Sequence, residues 1–304
     1  MISKEKAILL FVGSILFLIF IAVIMSFFSD SGSLGGFSFF APKVAVVKLE
    51  GEISNISDSL FSSNKTSFDV IDELEQAKDD PGVNAILLEI NSPGGSAVAS
   101  KQIFDKVMDI EKPVVVWVSD VGASGGYYVA SGADLIVAEE DSITGSIGVI
   151  SILPNYEGLM EKLGVEYRVF KSGELKDLGS PFRDFTQDEN VLFNEVLIQI
   201  HENFKKNVLK GRQGKISKTT LDSIADGRIL TGLQAKNVGL IDETGNREYA
   251  LLRASQLSGF DEAPTLVSYE DTSFNFLDIF AKAGFYIGLG FKQSLNYNPV
   301  KINT

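Results

Sequence analysis

The first strong pattern along the chain is an unbroken apolar stretch. "AILLFVGSILFLIFIAVIMSFF" (7–28) runs for 22 residues without a charge. As a helix rising 1.5 Å per residue it spans a hydrocarbon core of ~30 Å. Lys4 and Lys6 precede it, and Asp30 is the first charge after it. That asymmetry predicts a cytoplasmic segment 1–6, a single pass through the cell membrane, and an extracytoplasmic remainder. A cleaved signal peptide would have a shorter apolar core and a small-residue cleavage site. "SDSGSLGGF" offers no such site, so a retained anchor is expected. Residues 29–42 read as a flexible linker.

After the linker the pattern changes period. "KVAVVKLEG" (43–51), "VNAILLEI" (83–90), "PVVVWV" (113–118) and "LIVAEE" (135–140) are short apolar runs of the kind that form buried parallel strands. Between them, "FDVIDELEQAKDD" (68–80) places Val70, Ile71, Leu74 and Ala77 at helical spacing, and "SAVASKQIFDKVMDI" (96–110) does so with Ile103, Phe104, Val107 and Met108. A further helix should begin near Ser124. Alternating strands and helices predict an α/β fold of repeated βαβ units with right-handed crossovers. "TQDENVLFNEVLIQIHENFKKNVLKGR" (186–212) reads as a long amphipathic helix. Thr186 and Glu189 form its capping box, and Val191, Leu192, Val196, Leu197, Ile200 and Phe204 share one stripe. Residues 217–245 read as two short helices and a strand. "FNFLDIFAKAGFYIGLGF" (274–291) reads as an amphipathic helix packing on the domain or on a neighbouring subunit.

Composition narrows the chemistry. The chain has 304 residues, 45% of them hydrophobic, a net charge of −13, one histidine and no cysteine. Disulfides, thiolate metal sites and a cysteine nucleophile are excluded. A zinc site would depend almost wholly on carboxylates, so no metal is expected. The acidic balance argues against nucleic-acid binding, which needs a basic footprint.

Two glycine-rich segments follow predicted strands. In "EINSPGGSA" (89–97), Pro93 should end the strand hydrogen bonding, and Gly94 and Gly95 permit positive φ. Such a turn can aim backbone N–H groups outward, as an oxyanion hole requires. In "DVGASGGYYVASGAD" (120–134), Ser124 sits between small residues at the start of a helix. There it is either a nucleophile or an ordinary N-cap. Because the two segments end successive βα units, both should open at the carboxyl edge of one sheet. A serine nucleophile needs a base. His201, beside Ile200 on the long helix, reads better as a boundary histidine than as that base. Lys171 and Lys176, in "YRVFKSGELKDLGSPFR" (167–183), a loop expected to follow a strand, are the other candidates. A lysine must be neutral to act, so its pKa must fall from about 10.4 to near 7, a cost of about 4 kcal/mol. Burial among apolar groups without a carboxylate partner achieves that. Residue physics leaves the choice between the two lysines open.

"NSPGG", "ASGGYY", "TGSIGV" and "KSGELKDLGSP", in this order and spacing, resemble the bacterial signal peptide peptidases of the protease IV family, in their short, single-domain form. The likeness covers about residues 43–250 and the anchor, and leaves 251–304 as an extension of open role. It implies a Clp/crotonase-like fold and a Ser–Lys endopeptidase that degrades remnant signal peptides and uses no cofactor. By position, Ser124 would be the nucleophile and Lys176 the general base. Gly95 would supply an oxyanion N–H, with Gly125 as the expected second donor, and Ser146 would orient the lysine amine. The resemblance also implies a homo-oligomeric ring, with an octamer as one candidate size, in which serine and lysine come from different subunits. The alternatives are a membrane scaffold of the same superfamily without catalysis, and a crotonase-like acyl-CoA enzyme. The first would lack the serine or lysine; the second sits poorly with an extracytoplasmic domain.

Overall fold

The computed structural model describes residues 41–56 and 65–269. The anchor 7–28, nearly all of the linker 29–42 and the helix expected at 274–291 lie outside them. Among the described residues no helix is long and apolar enough to cross a membrane.

The compact unit from Pro42 onward is built on an eight-stranded sheet. Its strands are β1 (Lys43–Ile53), β2 (Ala85–Gly95), β3 (Val114–Ala123), β4 (Leu135–Ala138), β5 (Ile143–Gly145), β6 (Ile229–Thr231), β7 (Glu243–Thr244) and β8 (Thr265–Val267). The main path runs β6-β5-β3-β2-β1-β8, and β4 pairs with β3 and β7. Every pairing is parallel except β5 with β6. The alternation along the central strands explains why both faces are dry. Ala45, Val47 and Leu49 of β1, with Ile86, Leu88 and Ile90 of β2, face one core. Val44, Val46, Ala85 and Leu87 face the other.

The first face is covered by α1 (Ser67–Asp79), α2 (Ala97–Met108), the short α3 (Gly125–Ala130) and the C-terminal half of α5 (Gln187–Gly211). Thr66 and Asp69 cap α1 reciprocally, and Ser96 caps α2. The opposite face is covered by α8 (Arg247–Leu257) through Ala250, Leu251 and Ala254. The helix α7 (Gly232–Asn237) packs on β6 and β5, and α6 (Lys218–Ile224) packs on α5. Arg212 is fully buried, and its guanidinium grips both oxygens of Asp242 at 2.8 and 3.0 Å.

Three local expectations change. The turn expected at "NSPGG" is instead the extended end of β2, which pairs Gly94 with Glu52 and Gly95 with Ile53 after a shift in register. A second shift lies between Ile90 and Ser92 on the β3 side, and Pro93 takes no registered partner on either side. A proline without an N–H fits such an irregularity. The segment 165–170 forms no strand; a short helix, α4 (Glu157–Leu163), precedes it. Of the apolar stripe on α5, Val191, Leu192 and Val196 are exposed, whereas Phe204 is buried. From 148 to 203 the chain forms an arm in which the one buried residue is Glu189.

Candidate active site

The strands β2 and β3 end side by side, and their ends are in contact. A Cβ on Gly94 would stand 2.5 Å from Gly125 N and 2.9 Å from Ser124 Cβ, at a φ of +100°. A Cβ on Gly125 would crowd Ser100 Oγ and lie 3.2 Å from Gly95 N. The two glycine segments therefore approach to main-chain contact, which no larger side chain would allow.

Ser124 begins α3, but its hydroxyl makes no capping hydrogen bond. Its backbone has φ 52° and ψ −119°. Among the described residues, Ser124 and Ser146 (φ 50°) are the two non-glycine residues at positive φ. Such a conformation costs of order 1–3 kcal/mol and persists only where the surroundings enforce it. The enforcement is visible. Ala123 pairs with Gly145 across β3 and β5, Ser124 N–H donates to Gly145 O at 2.9 Å, and Thr144 Oγ1 donates to Gly122 O at 2.7 Å. Ser146 N–H donates to Arg228 O at 2.8 Å. The two strained serines thus follow a paired position on adjacent parallel strands.

A cavity of about 300 Å³ opens beside Ser124. Gly95, Gly125 and Tyr128 form one side, and Ile150, Ile200 and Phe204 wall it. Tyr128 stacks on Phe204 with centroids 4.5 Å apart, and burial pushes its phenol pKa up. Ile200 and Phe204 come from α5; the helical period reveals them as apolar, but a fold is needed to bring them to the serine.

The cavity has no lysine in its lining. Lys176 lies on a 3₁₀ turn, Glu174–Asp177, that buries none of its residues. Its neighbour Lys171 is engaged, with Nζ donating to Glu174 O and to Asp177 Oδ1, both at 2.7 Å. His201 is half-buried on α5, and its Nε2 has no hydrogen-bond partner among the described residues, Ser124 included. Within one chain the site therefore unites Ser124, Gly95, Gly125 and the Ser146 strand end, and leaves out both lysines. Among the described residues no group of three or more His, Cys, Asp or Glu could hold a metal ion.

A family model described as Peptidase family S49 matches residues 106–261, and one described as Clp protease matches residues 58–137. The chain belongs to peptidase family S49. A Methanocaldococcus jannaschii protein named as a protease is 39% identical, over 93% of this chain and 91% of its own length. An Enterococcus faecium protein named as the signal peptide peptidase SppA is 36% identical, over 77% of this chain and 69% of its own. Protease 4 of Haemophilus influenzae is also 36% identical, over 71% of this chain but only 35% of its own length. Membership of S49 makes the chain a protease acting on peptides, and the Clp match agrees with the parallel-rich sheet.

Proposed function

We propose that this S49 protease is a membrane-anchored serine endopeptidase whose nucleophile is Ser124 and whose general base is Lys176. Its substrates would be remnant signal peptides. The observation that carries the reading is the enforced backbone of Ser124, which leaves an uncapped hydroxyl at the mouth of an apolar cavity. Of the two candidate lysines, Lys171 is already committed to Asp177 and Glu174. Lys176 has no such engagement among the described residues and sits on an arm rich in exposed apolar side chains, among them Ile150, Ile152 and Phe170 at 81%, 82% and 95% exposure. Such surface is what a second copy of the chain would cover. In a homo-oligomer the Lys176 turn of one copy would reach the Ser124 of the next, and covering it would supply the desolvation a neutral amine needs.

The chemistry follows. The neutral Lys176 amine takes the Ser124 proton as Oγ bonds to the scissile carbonyl carbon. The N–H groups of Gly95 and Gly125 hold the oxyanion, and Ser146 orients the amine. Collapse breaks the C–N bond, and Lys176 returns its proton to the leaving amine. A water, deprotonated by Lys176, then hydrolyses the acyl-serine. The apolar cavity walls suit the apolar cores of signal peptides.

The test is a complementation experiment with a fluorogenic apolar peptide. Ser124→Ala and Lys176→Ala should each abolish turnover, and Lys171→Ala should retain it. Co-assembly of the two inactive variants should restore part of the activity, because some neighbouring pairs then hold one intact dyad. Full activity of Ser124→Ala would sink the nucleophile. Loss in Lys171→Ala with retention in Lys176→Ala would show the base to be the other lysine.

A further inference from the structure

The arm buries no apolar side chain, and its ring contacts, Phe182 with Tyr156 and Tyr167 and Phe185 with Phe193, stay partly open, so polar bonds take a large share in holding the Lys176 turn. Its single buried side chain, Glu189, is bonded to Arg183. Arg183 is a hub. Its Nε and Nη2 donate to Asp177 Oδ2 and Oδ1, both at 2.9 Å. Its Nη1 and Nη2 donate to Glu189 Oε2 and Oε1 at 2.8 and 2.6 Å, and Nη1 also donates to Asp184 O at 2.9 Å. One guanidinium thus forks two carboxylates, a geometry that a lysine amine cannot reproduce.

The carboxylates belong to different elements. Asp177 closes the 3₁₀ turn and is the residue after Lys176. Glu189 is in the first turn of α5, where it also accepts Thr186 N–H at 2.9 Å. That helix reaches the body, where Phe204 and Val208 are buried. The path from sheet to lysine therefore runs through α5, Glu189, Arg183 and Asp177. Lys171 adds its bond to Asp177 from the opposite end of the turn. The fork also occupies both Asp177 oxygens, so the carboxylate adjacent in sequence to Lys176 is paired elsewhere.

We propose that Arg183 is the positioning residue of the lysine: by clamping Asp177 to Glu189 it fixes the Lys176 turn on α5. The inference rests on Lys176 being the base. A bond network of this kind acts on geometry, and an error of about 1 Å at a reacting group can cost about 100-fold in rate.

The experiment uses the full chain, with peptide hydrolysis read as kcat and KM and assembly read by light scattering. Arg183→Gln and Asp177→Asn should each lower kcat about 100-fold, leave KM within about twofold, and leave the assembly intact. Arg183→Lys should recover part of the loss. An activated peptide ester, whose hydrolysis depends less on a base, gives the decisive readout. Arg183→Gln should slow it in the wild-type background and add nothing in the Lys176→Ala background, because the arginine acts only through the lysine. An inactive Lys176→Ala beside wild-type kcat in both Arg183→Gln and Asp177→Asn would overturn the clamp and spare the base. A further loss of ester hydrolysis in the double variant would overturn it as well, showing a merely structural role. Loss of assembly in both single variants would do the same, since the fork would then hold the interface. Full turnover by Lys176→Ala would remove the base and the clamp together.

Discussion

The sheet body and the arm carry the same kind of arginine hub in opposite surroundings. In the body, Arg212 is wholly enclosed, and its partner Asp242 directly follows Leu240 and Ile241 of the larger apolar core. In the arm, Arg183 joins Asp177 and Glu189 with more bonds, but no apolar side chain around them is buried. The first hub is a polar rivet through a structure that packing already defines. The second ties together a region whose only apolar packing is partly open, as where Tyr167 meets Phe182. A region so built holds its internal geometry yet leaves its apolar surface available, which suits a segment that completes a neighbour's site.

The largest expected effect falls on the body. Arg212→Ala would take the bidentate partner from the mostly buried Asp242 carboxylate and leave it with Lys215, at 2.9 Å, and Ile136 N–H, at 2.8 Å. Burial alone would raise the Asp242 pKa; the Arg212 bonds and charge, with the Lys215 bond and Ile136 N–H after them, override it and hold the carboxyl below its ordinary value. Breaking such a pair costs about 3–5 kcal/mol, which chemical denaturation would register. Arg183→Gln should leave the global denaturation midpoint nearly unchanged, because the ion pairs it removes lie near the surface. Equal losses in the two variants would erase the distinction between rivet and clamp.

The next effect concerns the arm's apolar surface. Ile152→Ser combined with Phe170→Ser should leave the denaturation midpoint of the isolated chain almost unchanged, within about 0.5 kcal/mol, because neither side chain is covered. The same double variant should lower the mass of the assembly and remove peptide turnover. Sedimentation or light scattering would decide it. An assembly of wild-type size with full turnover would mean that some other surface joins the copies.

The contrast also explains what could be read in advance. The body was legible because burial imposes period: the apolar runs of β1 to β4 and the spacing in α1 and α2 follow from a two-faced parallel sheet. The elements missed there are short. Ile143–Gly145 and Thr265–Val267 are three residues each, too few for a period to show, and one of them is the strand that sets the Ser124 and Ser146 geometry. The "NSPGG" segment was misread as a turn because Pro and Gly are locally strand-breaking, whereas a shifted register accommodates both. The arm was legible as motif and illegible as structure. The stripe on α5 has the period of a buried face, but Val191, Leu192 and Val196 in its N-terminal half are exposed, with no described residue burying them. Arg183 stood in the quoted run "SPFR" with no local signal, since its meaning depends on Asp177 and Glu189 meeting around it.

The smallest expected effect separates the two regions by pH. Glu189 titrates at about 2, below its ordinary 4.5, chiefly through the Arg183 bonds and then through Thr186 N–H. Arg183, followed by Lys171, holds Asp177 well below the usual carboxylate range. Both shifts are downward, so the clamp's contribution is complete above the ordinary carboxylate value. The Glu189 part declines as pH falls below 4.5 and is gone once pH passes through its folded value near 2, and the Asp177 part is lost at lower pH still. Within that window the arm should open locally before the body does, since the body keeps its buried apolar cores while the arm has beside its charges only partly open ring contacts such as Tyr167 on Phe182. Pepsin is active there, so its first cuts should fall within 171–189, at a rate that rises as the pH drops. Arg183→Gln should be cut quickly across the whole range, with little further dependence on pH. First cuts inside β1 to β4, or equal pH dependence in the variant, would show that the arm is held by something other than its arginine.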